Sequence, residues 1–252
     1  MTLLAVCGDA STTTAYALAA MWPTSNVLLV EADPTGGDLA AWLDVAEQPG
    51  VATAVTMAPT GSWPVIEAQV QHHGSLSVLV LPVRAGEASM ATKEAATRLF
   101  PTLSALAGIT AIADCGFCHP TALSPVVAQA AVVVVTIRQP ATSSRAAAAH
   151  LDRVGELVDA LASRVLPTVV AVIGEEPYRA SEIGEFLGRS PDRLAVVVLA
   201  DDPMGAAAVA GRERVGRGFA RSHLARSAAI VANELAVRLD SLRSVEVGGV
   251  ER

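Results

Sequence analysis

Residues 131–135 read Ala-Val-Val-Val-Val, a stretch with nothing polar to offer on either face. A strand of this kind must be covered on both sides, as strands are in a parallel sheet flanked by helices. Similar apolar runs recur at about 2–7, 27–31, 76–82, 109–114, 131–137, 167–173 and 194–199. Longer helical patterns lie between them, near 13–22, 63–73, 88–106, 121–129, 142–164, 179–187, 204–210 and 222–242. The alternation predicts βαβ units and one doubly wound α/β domain, a mostly parallel sheet of about seven strands with helices on both faces. Hydrophobic residues make up 52% of the chain but aromatics only 4%, so the core is built from Ala, Val and Leu. Residues 47–63 read as a loop with a short helix. Periodicity lapses after Leu242, which sets a single domain over 1–243 and a flexible tail over 244–252.

Charge narrows the range of partners. The net charge is −7 with no basic block, so a broad nucleic-acid footprint is not expected. The 17 arginines against one lysine, Lys93, are read as codon bias. No signal peptide is expected, because the first apolar stretch is a strand interrupted by Gly8-Asp9. The longest apolar run, Ala128 to Ile137, contains Gln129 and Thr136 and is too short to span a bilayer. Three cysteines and no export signal point to a reducing cytoplasm and free thiols.

Ligands of such folds sit beyond the carboxyl ends of the strands, and three segments converge there. The first is Cys7-Gly8-Asp9-Ala10-Ser11-Thr12-Thr13, a turn between a strand and an Ala-rich helix. It has the outline of a phosphate-binding loop, in which backbone N–H groups and a helix N-terminus face a polyphosphate. The second is Glu31-Ala32-Asp33-Pro34-Thr35-Gly36-Gly37, and the third is Asp114-Cys115-Gly116. A carboxylate ending an apolar strand beside a phosphate loop is placed to hold Mg²⁺ through water.

On these residues the chain resembles the ParA/MinD family of P-loop ATPases with a deviant Walker loop. In that family the loop reads Lys-Gly-Gly-x-Gly-Lys-Thr-Thr. Registered on Leu18-Ala19, Val6 falls on the first lysine, Cys7 on the first glycine, Gly8 on the second and Ala10 on the third. Ser11 takes the place of the phosphate lysine, Thr12 that of the Mg²⁺-ligating hydroxyl and Thr13 that of the next hydroxyl. Both signature lysines and two glycines are therefore replaced. The resemblance further implies that Asp33 orients an attacking water and that Asp114 is the Walker B acid. It also places Asp202, within Val198 to Met204, beside a purine. An adenine-reading Asn is replaced by Ile173-Gly174-Glu175.

The resemblance implies ATP or ADP with Mg²⁺ as ligand, weak or absent hydrolysis, and a homodimer whose faces meet over the nucleotide. Within the family the chain is most similar to CpaE/TadZ-type members, which position pilus or secretion machinery. Partners of a secretion, pilus, division or partitioning apparatus follow from it. So does a cytoplasmic address, with at most peripheral attachment at the inner face of the membrane or the cell pole.

Other readings stay open. A nucleotide-free scaffold would keep the fold and leave the pocket empty. Thr12, Thr13 and Thr14 are also good helix-start residues, and Asp33 before Pro34 is a natural turn residue. Asp201-Asp202-Pro203 reads as an N-cap with Pro in the first turn. Cys115-Gly116-Phe117-Cys118-His119 matches a redox pair, half a zinc site and a haem-attachment run. Haem would require export and zinc would need further ligands such as His72-His73, so neither is expected. Incidental thiols, or a thiol redox protein using Cys115 and Cys118, remain. The arginines of the last helix are diluted by Glu234 and Asp240, which favours docking on the sheet over lying on a membrane.

Overall fold

In the computed structural model of the protein, residues 3–139, 143–188, 194–211 and 219–248 are described below. Among the described residues eight strands form one sheet in the order β3-β4-β2-β5-β1-β6-β7-β8. They are β1 Leu3–Gly8, β2 Val27–Glu31, β3 Gln71–His73, β4 Leu76–Leu79, β5 Thr110–Asp114, β6 Val132–Arg138, β7 Thr168–Ile173 and β8 Leu194–Leu199. All neighbours pair in parallel except β3 with β4. Among the described residues ten α-helices accompany them: α1 Ser11–Ala20, α2 Leu39–Leu43, α3 Val51–Met57, α4 Trp63–Glu67, α5 Ala85–Arg98, α6 Phe100–Ala105, α7 Ser144–Ser163, α8 Ala180–Leu187, α9 Pro203–Val209 and α10 His223–Gly248.

The strand pleat divides the core in two. Along β1, Leu3, Ala5 and Cys7 join the apolar cluster that packs under α3 to α8, whereas Leu4 and Val6 join the cluster under α1, α2, α9 and α10. Helix α7 shows how the sequence enforces this layering. Ser143 Oγ accepts from Ala146 N at 3.1 Å and starts the helix. Ala147, Leu151, Val154, Leu157, Val158 and Leu161 then form the buried stripe. Among the described residues no helix is long and apolar enough to cross a membrane.

Several elements differ from the sequence reading, each for a local reason. The helix expected over 63–73 stops at Glu67, and Gln71–His73 pairs antiparallel with β4 as an edge strand. The two-residue turn Gly74-Ser75, with Gly74 at φ 60°, closes that hairpin. The helix expected over 88–106 breaks into α5 and α6, where Pro101 withholds a donor. Only residues 127–129 of the helix expected over 121–129 are helical, as 3₁₀, since Pro125 disfavours a helical residue before it. At the other end, α10 continues past Leu242 to Gly248 and into the expected tail, and 249–252 lie outside the described residues.

Candidate functional site

The carboxyl ends of β2, β5, β1 and β6 lie side by side, with β1 at the point where the chain departs to opposite sides of the sheet. This is where a doubly wound sheet leaves a crevice. Only Asp9 and Ala10 separate β1 from α1. Ala10 adopts φ 50°, ψ 36°, the left-handed conformation, and no side chain caps the helix. An L-residue there carries roughly 1–2 kcal/mol of strain. Ala10→Gly relieves it but loosens the unfolded chain by about 0.4–1 kcal/mol. The expected net result is a rise in melting temperature of up to about 4 °C, read by thermal unfolding. A fall would mean that the Ala10 methyl group makes contacts worth more than the strain.

Not every amide of this loop faces outward. Gly8 N donates to Gly116 O at 2.9 Å and Asp9 N to Thr136 O at 3.0 Å. A Cβ at Gly8 would overlap the Thr136 carbonyl, so β1 and β6 approach closely here. The first amide that returns to the helix is Thr14 N, bonded to Ala10 O at 3.0 Å. Ser11, Thr12 and Thr13 therefore present N–H groups without intrahelical acceptors at the positive end of α1.

Below them sits Asp114, 1% exposed at the end of β5. The hydroxyls of Thr12 and Ser11 lie beside its carboxylate, and Gly116 N donates to Oδ1 at 3.2 Å. Burial raises its pKa, while the two hydroxyls and the amide pull against that rise. Asp33 lies alongside: a Cβ on Gly116 would overlap its carboxylate. Asp33 Oδ1 accepts from Thr35 N at 2.8 Å and Thr35 Oγ1 at 2.7 Å, so the turn reading describes its contacts as placed. Among the described residues, no three His, Cys, Asp or Glu side chains gather as a metal cage. One hydroxyl and one or two carboxylates are nevertheless the oxygen donors that suit Mg²⁺, an ion that keeps several waters and relies on ligand phosphates.

The remaining candidates are engaged elsewhere. Asp202 caps α9: Oδ1 accepts from Gly205 N at 2.9 Å and Oδ2 from Leu224 N at 3.1 Å. Those amides, Gly205 first, hold its pKa below the usual value. Asp9 Oδ2 accepts from His150 Nε2 at 2.7 Å and from Arg138 N at 2.9 Å. Thr13 and Thr14 line a cavity of about 70 Å³ with Arg138, Ile173, Asp201 and Leu224. Across it Arg138 Nη2 pairs with Asp201 Oδ1 at 2.8 Å. Small-molecule pockets are typically about 300–1,000 Å³, so the cavity as it stands is too small for a purine.

Three residues that the sequence reading did not single out complete the site. Arg138 and His150 hold the loop from β6 and α7, and only the position of Arg138 at the end of an apolar strand gave any signal. Glu31, read merely as the first acid before Asp33, is 1% exposed. Its Oε1 accepts from Asp38 N and Leu39 N, and its Oε2 from Leu81 N, all at 2.7 Å. It clamps the segment 34–39 to the sheet and supplies the start of α2 with an acceptor.

No protein-family model matches the sequence, and the comparison with curated proteins found no match. Solved structures do match. A ParA family ATPase from Chlorobium tepidum TLS superposes with a TM-score of 0.69 at 17% identity, over 92% of this chain and 98% of that one. The septum site-determining protein MinD from Pyrococcus horikoshii OT3, complexed with Mg-ADP, gives 0.63 at 13% identity, over 94% and 98%. The fold is that of the ParA and MinD ATPases. The MinC:MinD cell division protein complex of Aquifex aeolicus likewise matches, with a TM-score of 0.58 and 16% identity over 94% and 96%. On the ParA/MinD fold, the loop 8–13, Asp33 and Asp114 occupy the crevice at the strand ends. At these identities the likeness concerns the fold, and the chemistry must be argued from the side chains.

Proposed function

We propose that this chain is a nucleotide-responsive positioning or assembly protein of the ParA/MinD kind, acting as a homodimer with slow or no ATP hydrolysis. The observation that carries the reading is the convergence of the Ser11 and Thr12 hydroxyls on buried Asp114 beneath the open N-terminus of α1. Thr12 would hold Mg²⁺ directly and Asp114 through water. The amides of Ser11 to Thr13 would receive phosphate oxygens, and Asp33 would lie beside the water that attacks. When bound, Mg²⁺ would neutralise phosphate charge. Phe117, 70% exposed on the rim, offers a second copy an apolar contact over the same crevice. The MinD neighbour's Mg-ADP and the MinC:MinD assembly are consistent with a nucleotide and a protein partner. A division, partitioning, pilus or secretion apparatus would supply that partner, at the cytoplasmic face of the membrane or the cell pole.

Loss of the loop lysine favours binding over turnover, because that charge acts most strongly on the transition state. Thermal unfolding tests the reading with Mg-ATP, Mg-GTP and ADP. At ten times Kd, bound ligand adds about 1.4 kcal/mol, a rise of roughly 3–5 °C. The expected result is such a rise with a Mg-nucleotide, abolished in Asp114→Ala.

A second reading has its own support. Because the Gly8 and Asp9 amides are tied to Gly116 and Thr136, and the Arg138–Asp201 pair crosses the small cavity, a nucleotide-free scaffold fits the same fold. No shift at millimolar Mg-nucleotide, together with a constitutive dimer, would select the scaffold and reject the first reading.

A further inference from the structure

Every cysteine of the chain lies at one place. Cys7 at the end of β1, and Cys115 and Cys118 after β5, are buried in the same apolar cluster. Backbone pairing explains why. Val6 faces Asp114 in register, Cys115 N donates to Val6 O at 2.8 Å, and Gly8 N donates to Gly116 O at 2.9 Å. The segment after β5 thus runs alongside the end of β1, and Cys118 shares a cavity lining with Gly8, the residue next to Cys7. The Cys7 and Cys118 thiols are neighbours, each the largest influence on the other's acidity. Cys115, nearer to Cys118 in sequence, instead directs its thiol to Ala113 O at 3.8 Å.

Cys118 is only 3% exposed, yet it lines two cavities. One, of about 110 Å³, lies toward Gly8, Thr136 and His150, and the other, of about 200 Å³, toward Pro34, Thr92 and Lys93. Both exceed the roughly 30 Å³ that a water molecule occupies in the liquid, so a peroxide molecule has room beside the sulfur. Cys7, at 0% exposure, lines neither. This asymmetry assigns the roles.

We propose that Cys7 and Cys118 form a reversible disulfide driven by hydrogen peroxide, with Cys118 attacking first and Cys7 resolving. The Cys118 thiolate attacks one peroxide oxygen, the O–O bond breaks, and the leaving hydroxide takes a proton to become water. Cys7 sulfur then attacks the Cys118 sulfenic acid, the S–S bond forms, and a second water leaves with the Cys7 proton. Two thiols are oxidised by two electrons in total, and one peroxide is reduced to two waters. A dithiol reverses the reaction by exchange. The neighbouring Cys7 thiol holds the Cys118 pKa below that of an ordinary thiol, although burial opposes it. The bond would tie the segment 115–118 to β1, fixing Gly116 against Asp33 and Phe117 at the rim. The reaction does not depend on nucleotide binding.

Peroxide treatment of the full-length protein, followed by alkylation in denaturant and peptide mapping, tests this. The expected product is lighter by two hydrogens, carries one alkylated cysteine, Cys115, and yields a Cys7–Cys118 cross-linked peptide. It should melt up to about 10 °C higher than the reduced form, and dithiothreitol should reverse both changes. Cys115→Ala should still form the bond, whereas Cys7→Ala and Cys118→Ala should not. Cys118→Ser keeps the test available if an alanine variant fails to fold. A Cys115–Cys118 cross-link, three alkylated cysteines after peroxide, or over-oxidised Cys118 without a cross-link would each overturn the proposal.

Discussion

Replacing Glu31 by alanine should cost about 3–5 kcal/mol of stability, the largest loss expected from any single change at the site. The side chain has little room for compensation, because its carboxylate accepts three amides at 2.7 Å in a place that is 1% exposed to water. Removing it leaves those amides buried without acceptors, at roughly 1–3 kcal/mol each and with partial relaxation. Glu31→Gln should be milder, about 1–3 kcal/mol, since its amide group must face one N–H donor with another. Burial also pushes the Glu31 carboxyl up to about 7 from 4.5, despite the amides of Leu39, Leu81 and Asp38. The folded protein therefore holds this proton over a range in which the unfolded chain has released it. Stability should fall as pH rises from about 4.5 to 7, by about 3 kcal/mol from this group, and level off above. Urea unfolding at pH 5 and pH 8 checks both points. The descending slope should be shallower in Glu31→Gln, with a part from Asp114 left, since burial raises that carboxyl too; a Glu31→Ala protein within 1 kcal/mol of the parent would show that segment 34–39 needs no clamp.

The second large effect is a gain. Ser11 stands at the start of α1 beside the exposed amides, where an ammonium would meet the phosphates of a nucleotide. A charge-assisted contact is worth roughly 1.5–3 kcal/mol, so Ser11→Lys should tighten Mg-ATP binding about 10- to 100-fold. Ser11 is 5% exposed, and its hydroxyl lies beside the Asp114 carboxylate. The lysine stem must therefore run outward along the loop, leaving its head group in the crevice. Adding Ala10→Gly supplies the backbone freedom for that path. Calorimetric titration of the parent, the single variant and the double variant decides the matter. Equal affinities in all three would mean that the Gly8 and Asp9 amides, turned away toward Gly116 and Thr136, limit binding more than charge does.

Much of the architecture was legible because parallel strands buried on both faces, such as Val27 to Val30 or Val132 to Val135, have no other stable home. Asp114 stood out for the same reason, as a charge ending such a run. The short polar strand Gln71–His73 carries no apolar alternation, so the helix expected over 63–73 was drawn through it. The site was less legible where contacts span the chain. Glu31 finds Leu81 fifty residues away and Asp9 finds His150 across 141. The three-residue spacing of Cys115 and Cys118 suggested a pair, but strand register also brings Cys7 beside that segment, a contact that spacing along the chain does not reveal. The capping reading of Asp202 was legible, and the structure gives its oxygens to α9 and α10.

The ion pair between Arg138 and Asp201 also bears on how the crevice behaves over time. Both side chains are about half exposed, and such a pair is worth about 0–1 kcal/mol. The arrangement with the pair broken is then populated at no less than about one part in six at equilibrium. A ligand that needs the cavity opened would find its apparent affinity lowered by at most about sixfold. That is less than the 10- to 100-fold expected from the missing ammonium, so this gate is the lesser barrier to occupancy and the loop chemistry is the greater.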